Sequence, residues 1–149
     1  MLVAAAVVAW SALCLALDAA GHRPSGPTPL ERWYRVQAGL VWVVVPLQAL
    51  LADAVARRLA GVPHGRGRVA AAFGTGVLAF VVVDAVAWLA VGFEGLGRVL
   101  AVSAPACLLL VIGLGGRGLV AEGAPWPRAL AAALVGLLAA AVAGGGLLR

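Results

Sequence analysis

Five apolar stretches joined by short polar connections constrain this chain more than any single residue does. An α-helix needs about 20 predominantly apolar residues to cross the hydrocarbon core of a bilayer. The sequence supplies roughly that length at about 2–20, 36–60, 69–91, 98–114 and 128–144. Inside hydrocarbon every backbone N–H and C=O must be satisfied within the structure, so such runs fold as helices. The expected fold class is all-α: a polytopic transmembrane helical bundle of about five spans, with residues 1–149 forming a single integral membrane domain.

Composition agrees. Hydrophobic residues make up 64% of the 149, against roughly 45–50% in a soluble domain. Only 11% are charged, and the mean hydropathy is +1.06. A water-soluble core of this size cannot hide that much apolar surface, so lipid takes it. No room is left for a soluble catalytic domain, and the expectation is a non-enzymatic protein working within the bilayer or through short loops.

Every basic residue is arginine, lysine and asparagine are absent, and Ile112 is the only isoleucine. This reads as the mark of a GC-rich bacterial genome, which places the protein in a bacterial cell membrane, the inner one. The net charge of +5 is spread over several loops. Anionic lipid headgroups are the expected partners, and nucleic acid is not.

The first segment lacks a basic leader and a clear A-x-A site, so it reads as a retained helix and not a signal peptide. Residues 21–29 (GHRPSGPTP) form a helix-breaking loop. Thr28, Pro29 and Glu31 then have the spacing of a capping box. The second helix opens with the amphipathic turn Glu31, Arg32, Trp33, Tyr34, Arg35 and carries Pro46, which predicts a kink. Gly61 and Pro63 end it before a short basic loop to Arg68. Residues 92–97 connect the third and fourth helices. The glycine-rich run 113–126 predicts a loop, closed by Pro125 and Pro127.

With five spans, one face holds Arg57, Arg58, Arg66, Arg68, Arg117 and Arg128. The other holds Arg23, Arg32, Arg35, Arg98 and Arg149. The small excess leans the first face, and the N-terminus with it, inward.

Polar residues within spans are costly and demand a reason. Asp84, in VVVDAVAW, has no arginine within a helical turn. It reads either as a site for a proton or a cation, or as interhelical glue made in its protonated form. Asp53 lies four residues before Arg57, the spacing of a helical ion pair. Asp18 ends the first helix, where Asp84 and the arginines of 21–35 could join it in a polar cluster. Gln37 and Gln48 fall on one face of the second helix and read as glue between helices. The spacings Ala70–Gly74 and Ala72–Gly76 would allow close helix contact.

Cys14 and Cys107 read as small buried hydrophobes. His22 and His64 are isolated, so no metal or other cofactor is expected. Asp53-Ala-Val-Ala-Arg57 has a fragment of the CDP-alcohol phosphotransferase pattern. However, Ala54 replaces the required glycine, and Asp84 lacks an aspartate four residues away.

Trp33-Tyr34-Arg35-Val36-Gln37-Ala38 leads into a long span, followed by Leu47-Gln48-Ala49-Leu50-Leu51 and a basic turn. Later come Leu110-Val111-Ile112-Gly113-Leu114 and then Trp126-Pro127-Arg128-Ala129-Leu130 opening the last helix. From the second helix onward the chain resembles a bacterial member of the Yip family, the five-span Rab/Ypt-interacting-type membrane proteins. The resemblance implies five helices and a cytosolic N-terminus, and in eukaryotic members a role in vesicle traffic with small GTPases. It transfers no functional residue. The acidic-aromatic-glycine-proline motif of the eukaryotic members does not occur here.

The expected function is to organise membrane lipids or partner membrane proteins, as a subunit or a homo-oligomer. The alternative is a small transporter or permease subunit using Asp84, and a lower one is a membrane enzyme acting on lipid.

Overall fold

The computed structural model describes residues 1–21, 33–62 and 65–147. His22, Arg23, Thr28, Glu31, Arg32, His64 and Arg149, and with them the capping box, lie outside the described residues. The chain forms α1 (Leu2–Ala19), α2 (Trp33–Ala60), α3 (Arg68–Gly92), α4 (Arg98–Ala121) and α5 (Trp126–Leu147). Among the described residues there is no strand. All five helices are long and apolar enough to cross a membrane, so this is a multi-pass membrane protein with an all-α fold.

Leu2 and Val3 at the start of α1 lie by Gly74, and Gly61 and Gly65 lie by Arg128 and Glu122, so α1 starts on the same face as Gly61, Gly65 and the 122–125 turn, and the break between α3 and α4 lies on the opposite face. The chain stays helical from Arg68 to Ala121 except at Gly92, whose φ of 69° and ψ of −176° turn it back on itself. That φ lies where L side chains meet their own backbone, so glycine fits there. The predicted 92–97 loop is therefore a break at one residue. α2 and α4 run on through Pro46 and Pro105.

The fourth helix outruns its expected end. The run read as a loop over 113–126 is helical to Ala121, and only 122–125 turns. Gly115, Gly116 and Gly118 face neighbouring helices. A Cβ on Gly116 would lie 2.7 Å from Leu130, and one on Gly118 would lie 2.7 Å from Arg68. Glycine weakens a helix in water, but within a bundle it lets two backbones approach.

The central seam is made of small residues. Val41, Val45, Ala49, Ala52, Ala56 and Ala60 form one buried stripe of α2 at three- and four-residue spacing. Ala129, Ala132, Ala133 and Ala140 of α5 join the same core. A Cβ on Gly136 would come within 2.5 Å of the Ala52 carbonyl oxygen. Arg128 Nε donates to the Leu59 carbonyl at 2.7 Å at one end of this seam, and Gln48 Nε2 to the Ala140 carbonyl at 3.1 Å towards the other. Both expected small-residue approaches on α3 occur: Gly74 lies against the backbone of Leu2 and Val3, and Gly76 against Val111. Large side chains point away from the seam. Val102 is 74% and Leu109 69% exposed on α4, as lipid-facing residues are.

Candidate functional site

Asp53 is only 3% exposed. Its Oδ2 pairs with Arg57 at 2.5 Å, as the i,i+4 spacing predicts. It also accepts hydrogen bonds from Val69 N (3.1 Å) and Ala70 N (3.2 Å) at the start of α3. The N-cap of α3 is Gly67, which has no side chain to cap with, so Asp53 of α2 satisfies these free N–H groups across the turn. Arg57 Nη1 donates to the Gly65 carbonyl at 3.1 Å. Glu122 ties the adjacent connection: its Oε1 accepts from Arg66 N at 2.9 Å and lies 3.5 Å from Arg68 Nε. This end of the bundle is a set of structural staples.

The polar cluster expected on the opposite face forms only in part. Asp18 pairs with Arg35 at 2.6 Å, but Asp84 is outside that pair. Asp84 Oδ1 is buried and has no hydrogen-bond partner among the described residues. The interhelical bond expected of Asp84 is thus not made through that oxygen. Gln48 bridges α2 and α5, as interhelical glue does. Gln37 is half-buried and makes no side-chain hydrogen bond to a described residue. Cys14 is buried and Cys107 half-buried, and both are free thiols. Among the described residues no group of His, Cys, Asp or Glu could hold a metal ion.

A cavity of about 260 Å³, which no local pattern in the sequence marks, lies in the middle of the bundle. Trp10 of α1 and Gln48 of α2 line it. Phe73, Val77 and Phe80 of α3 line one wall, where Gly76 and Val111 meet. Ala104, Cys107 and Leu108 of α4 face Leu137 and Ala141 of α5 across it. Gln48 is the only polar side chain there with an amide, and it is already bonded to Ala140.

The shape follows from how α4 and α5 pack. Near the 122–125 turn they touch closely: a Cβ on Gly115 would meet Ala133 at 3.5 Å, and one on Gly116 would meet Leu130. Farther along, Ala104 and Leu108 stand opposite Leu137 and Ala141 with the cavity between them. Leu108 and Ala141 are exposed and Ala104 half-buried, so the cavity opens sideways between the two helices. Trp10 and Gln48 lie near the middle of their spans, which puts the opening at hydrocarbon depth. No water is available there to fill it, and the lining offers little for water to bond.

Comparison with protein-family models, curated proteins and solved structures gives no match.

Proposed function

We propose that this protein is a non-enzymatic multi-pass protein that organises membrane lipids, and that the sideways-opening cavity holds a lipid chain. The cavity itself supports this reading. An apolar cavity of about 150 Å³ is enough to bind one benzene, and this one, at about 260 Å³, has room for a longer piece of hydrocarbon. It opens where acyl chains are the surrounding medium. A Yip-like affiliation fits the five spans and the residues quoted above. A bacterial inner-membrane location fits the arginine-only basic composition. Arg58, Arg66, Arg68, Arg117 and Arg128 are exposed on the face where α1 begins, which supports a cytoplasmic N-terminus by the positive-inside rule.

The experiment is purification of the tagged protein from its native membrane in mild detergent, followed by mass spectrometry of co-eluting lipids and proteins. A lipid retained in stoichiometric amount, and lost when Cys107→Phe fills the cavity, is the expected result. Equal lipid content in wild type and Cys107→Phe would sink the reading. A stoichiometric protein partner without bound lipid would move the role to organising membrane proteins, through the exposed face of α4.

The unpartnered Asp84 oxygen favours a second reading, a transporter or permease subunit in which Asp84 takes a proton or a cation. Asp84→Asn should then abolish flux in proteoliposomes while the protein stays folded. Unchanged flux, or none in wild type, removes that reading.

A further inference from the structure

The rows of residues that line the cavity continue beyond it. On α3, Phe73, Val77 and Phe80 follow an i, i+4, i+7 row, and Asp84 is its next member. On α4, Ser103 stands one four-residue step before Cys107, in the row of Cys107 and Val111. The antiparallel register of the two helices is fixed by close contacts. Gly76 meets Val111 and the Cys107 carbonyl, Gly115 lies by Val69 and Ala72, and Gly118 lies by Arg68. Carried about two turns from Gly76 and Val111 towards Gly92, this register brings Asp84 and Ser103 to the same level. Asp84 Oδ1 and Ser103 Oγ are both buried, and both lack a hydrogen-bond partner among the described residues. Unsatisfied buried polar atoms are rare and call for an explanation. Here two of them share one level, one turn past Phe80, the last cavity residue of α3.

Resting on the lipid-chain reading of that cavity, we propose that Asp84 and Ser103 bind the hydroxyl head of a single-chain lipid alcohol whose hydrocarbon tail lies in the cavity. Depth selects the head. Asp84 is about 12 Å along the helix axis from Gly92 at 1.5 Å per residue, too deep for a phosphate headgroup. A net charge at that level is expensive, and a hydroxyl brings none. A hydroxyl is also donor and acceptor at once. It donates to Asp84 as a carboxylate or accepts from it as an acid, and it can exchange a second bond with Ser103. From Asp84 to the level of Phe73 is about 16 Å along α3, room for a medium-length alkyl tail.

The test uses dodecanol carrying a diazirine at its tail end, and the matching dodecane without the hydroxyl, photolysed with the purified protein. Cross-linked peptides are mapped by mass spectrometry. Wild type should show labelling of the cavity helices by the alcohol about tenfold above the alkane, the effect of one or two net hydrogen bonds. Ser103→Ala, which deletes a hydroxyl with no partner among the described residues, should reduce that preference about threefold. Asp84→Val should abolish it and keep the alkane labelling, which also reports that the cavity is folded. Equal labelling by the two probes in wild type, or a preference that survives both substitutions, overturns the head site and leaves the cavity reading standing. Cavity helices labelled by neither probe overturn both.

Discussion

Replacing Asp53 by alanine removes three interactions at one point. The Val69 and Ala70 N–H groups lose their acceptor, and Arg57 loses its ion pair. Loss of a side-chain cap on a helix N-terminus costs about 1 kcal/mol. Breaking a fully buried ion pair costs roughly 3–5 kcal/mol, because one charge is left unpaired. The Arg57 side chain is 24% exposed and keeps its bond to the Gly65 carbonyl, so about 2 kcal/mol is the appropriate share. The sum is about 3 kcal/mol. Asp53→Asn keeps an acceptor for the α3 N–H groups and gives up only the charge, so it should lose about 2 kcal/mol. Unfolding in mixed micelles by titration with SDS, followed by circular dichroism, measures both. A loss below about 1 kcal/mol for Asp53→Ala, or equal losses for the two variants, would refute the reasoning that Asp53 both caps α3 and holds Arg57.

Three further changes follow from the helix contacts. Gly136→Ala puts a methyl group against the Ala52 carbonyl and Ala56 and should destabilise by about 1–3 kcal/mol, as overpacking does. Gly115→Ala, whose nearest neighbour is 3.5 Å away, should cost nothing and stabilise by up to about 1 kcal/mol in the same titration, the helix penalty of glycine. Gln48→Met removes the bond to Ala140 at an expected loss of about 0.6 kcal/mol, the average for side-chain hydrogen bonds between membrane helices.

The spans were legible because length and hydropathy act locally. α1 and α3 end within a residue or so of where the apolar runs end. The end of α4 was not legible, because Gly115, Gly116 and Gly118 look like loop residues unless their partners on α3 and α5 are known. The Asp53–Arg57 pair was visible as an i,i+4 spacing. Its capping of α3 was hidden by distance in sequence, since Asp53 reaches Val69 across a turn. The signal that could have shown it is a helix start at Arg68 with glycine, and no Ser, Thr, Asp or Asn, at its N-cap. Asp18 found Arg35, the described member of the expected arginine group, but Asp84 sits on a different row of the bundle. The cavity could not be read at all. It is built from side chains of all five helices, far apart in sequence, and only the small residues Gly76, Ala104, Cys107 and Ala141 among its lining hint at it.

Quenching of Trp10 by brominated lipid tests most directly whether a lipid chain enters the cavity. Trp10 lines the cavity near mid-span, whereas Trp42 is 57% exposed on the outer surface of α2. Variants retaining only Trp10 or only Trp42 are reconstituted in bilayers of phosphatidylcholine brominated in mid-chain. Bromine quenches only at contact range, so Trp10 should be quenched nearly as well as Trp42. Ala104→Phe at the cavity mouth should protect Trp10 and leave Trp42 unchanged. If Trp10 is unquenched beside a quenched Trp42, or is quenched equally with and without Ala104→Phe, no lipid chain occupies the cavity and the account fails.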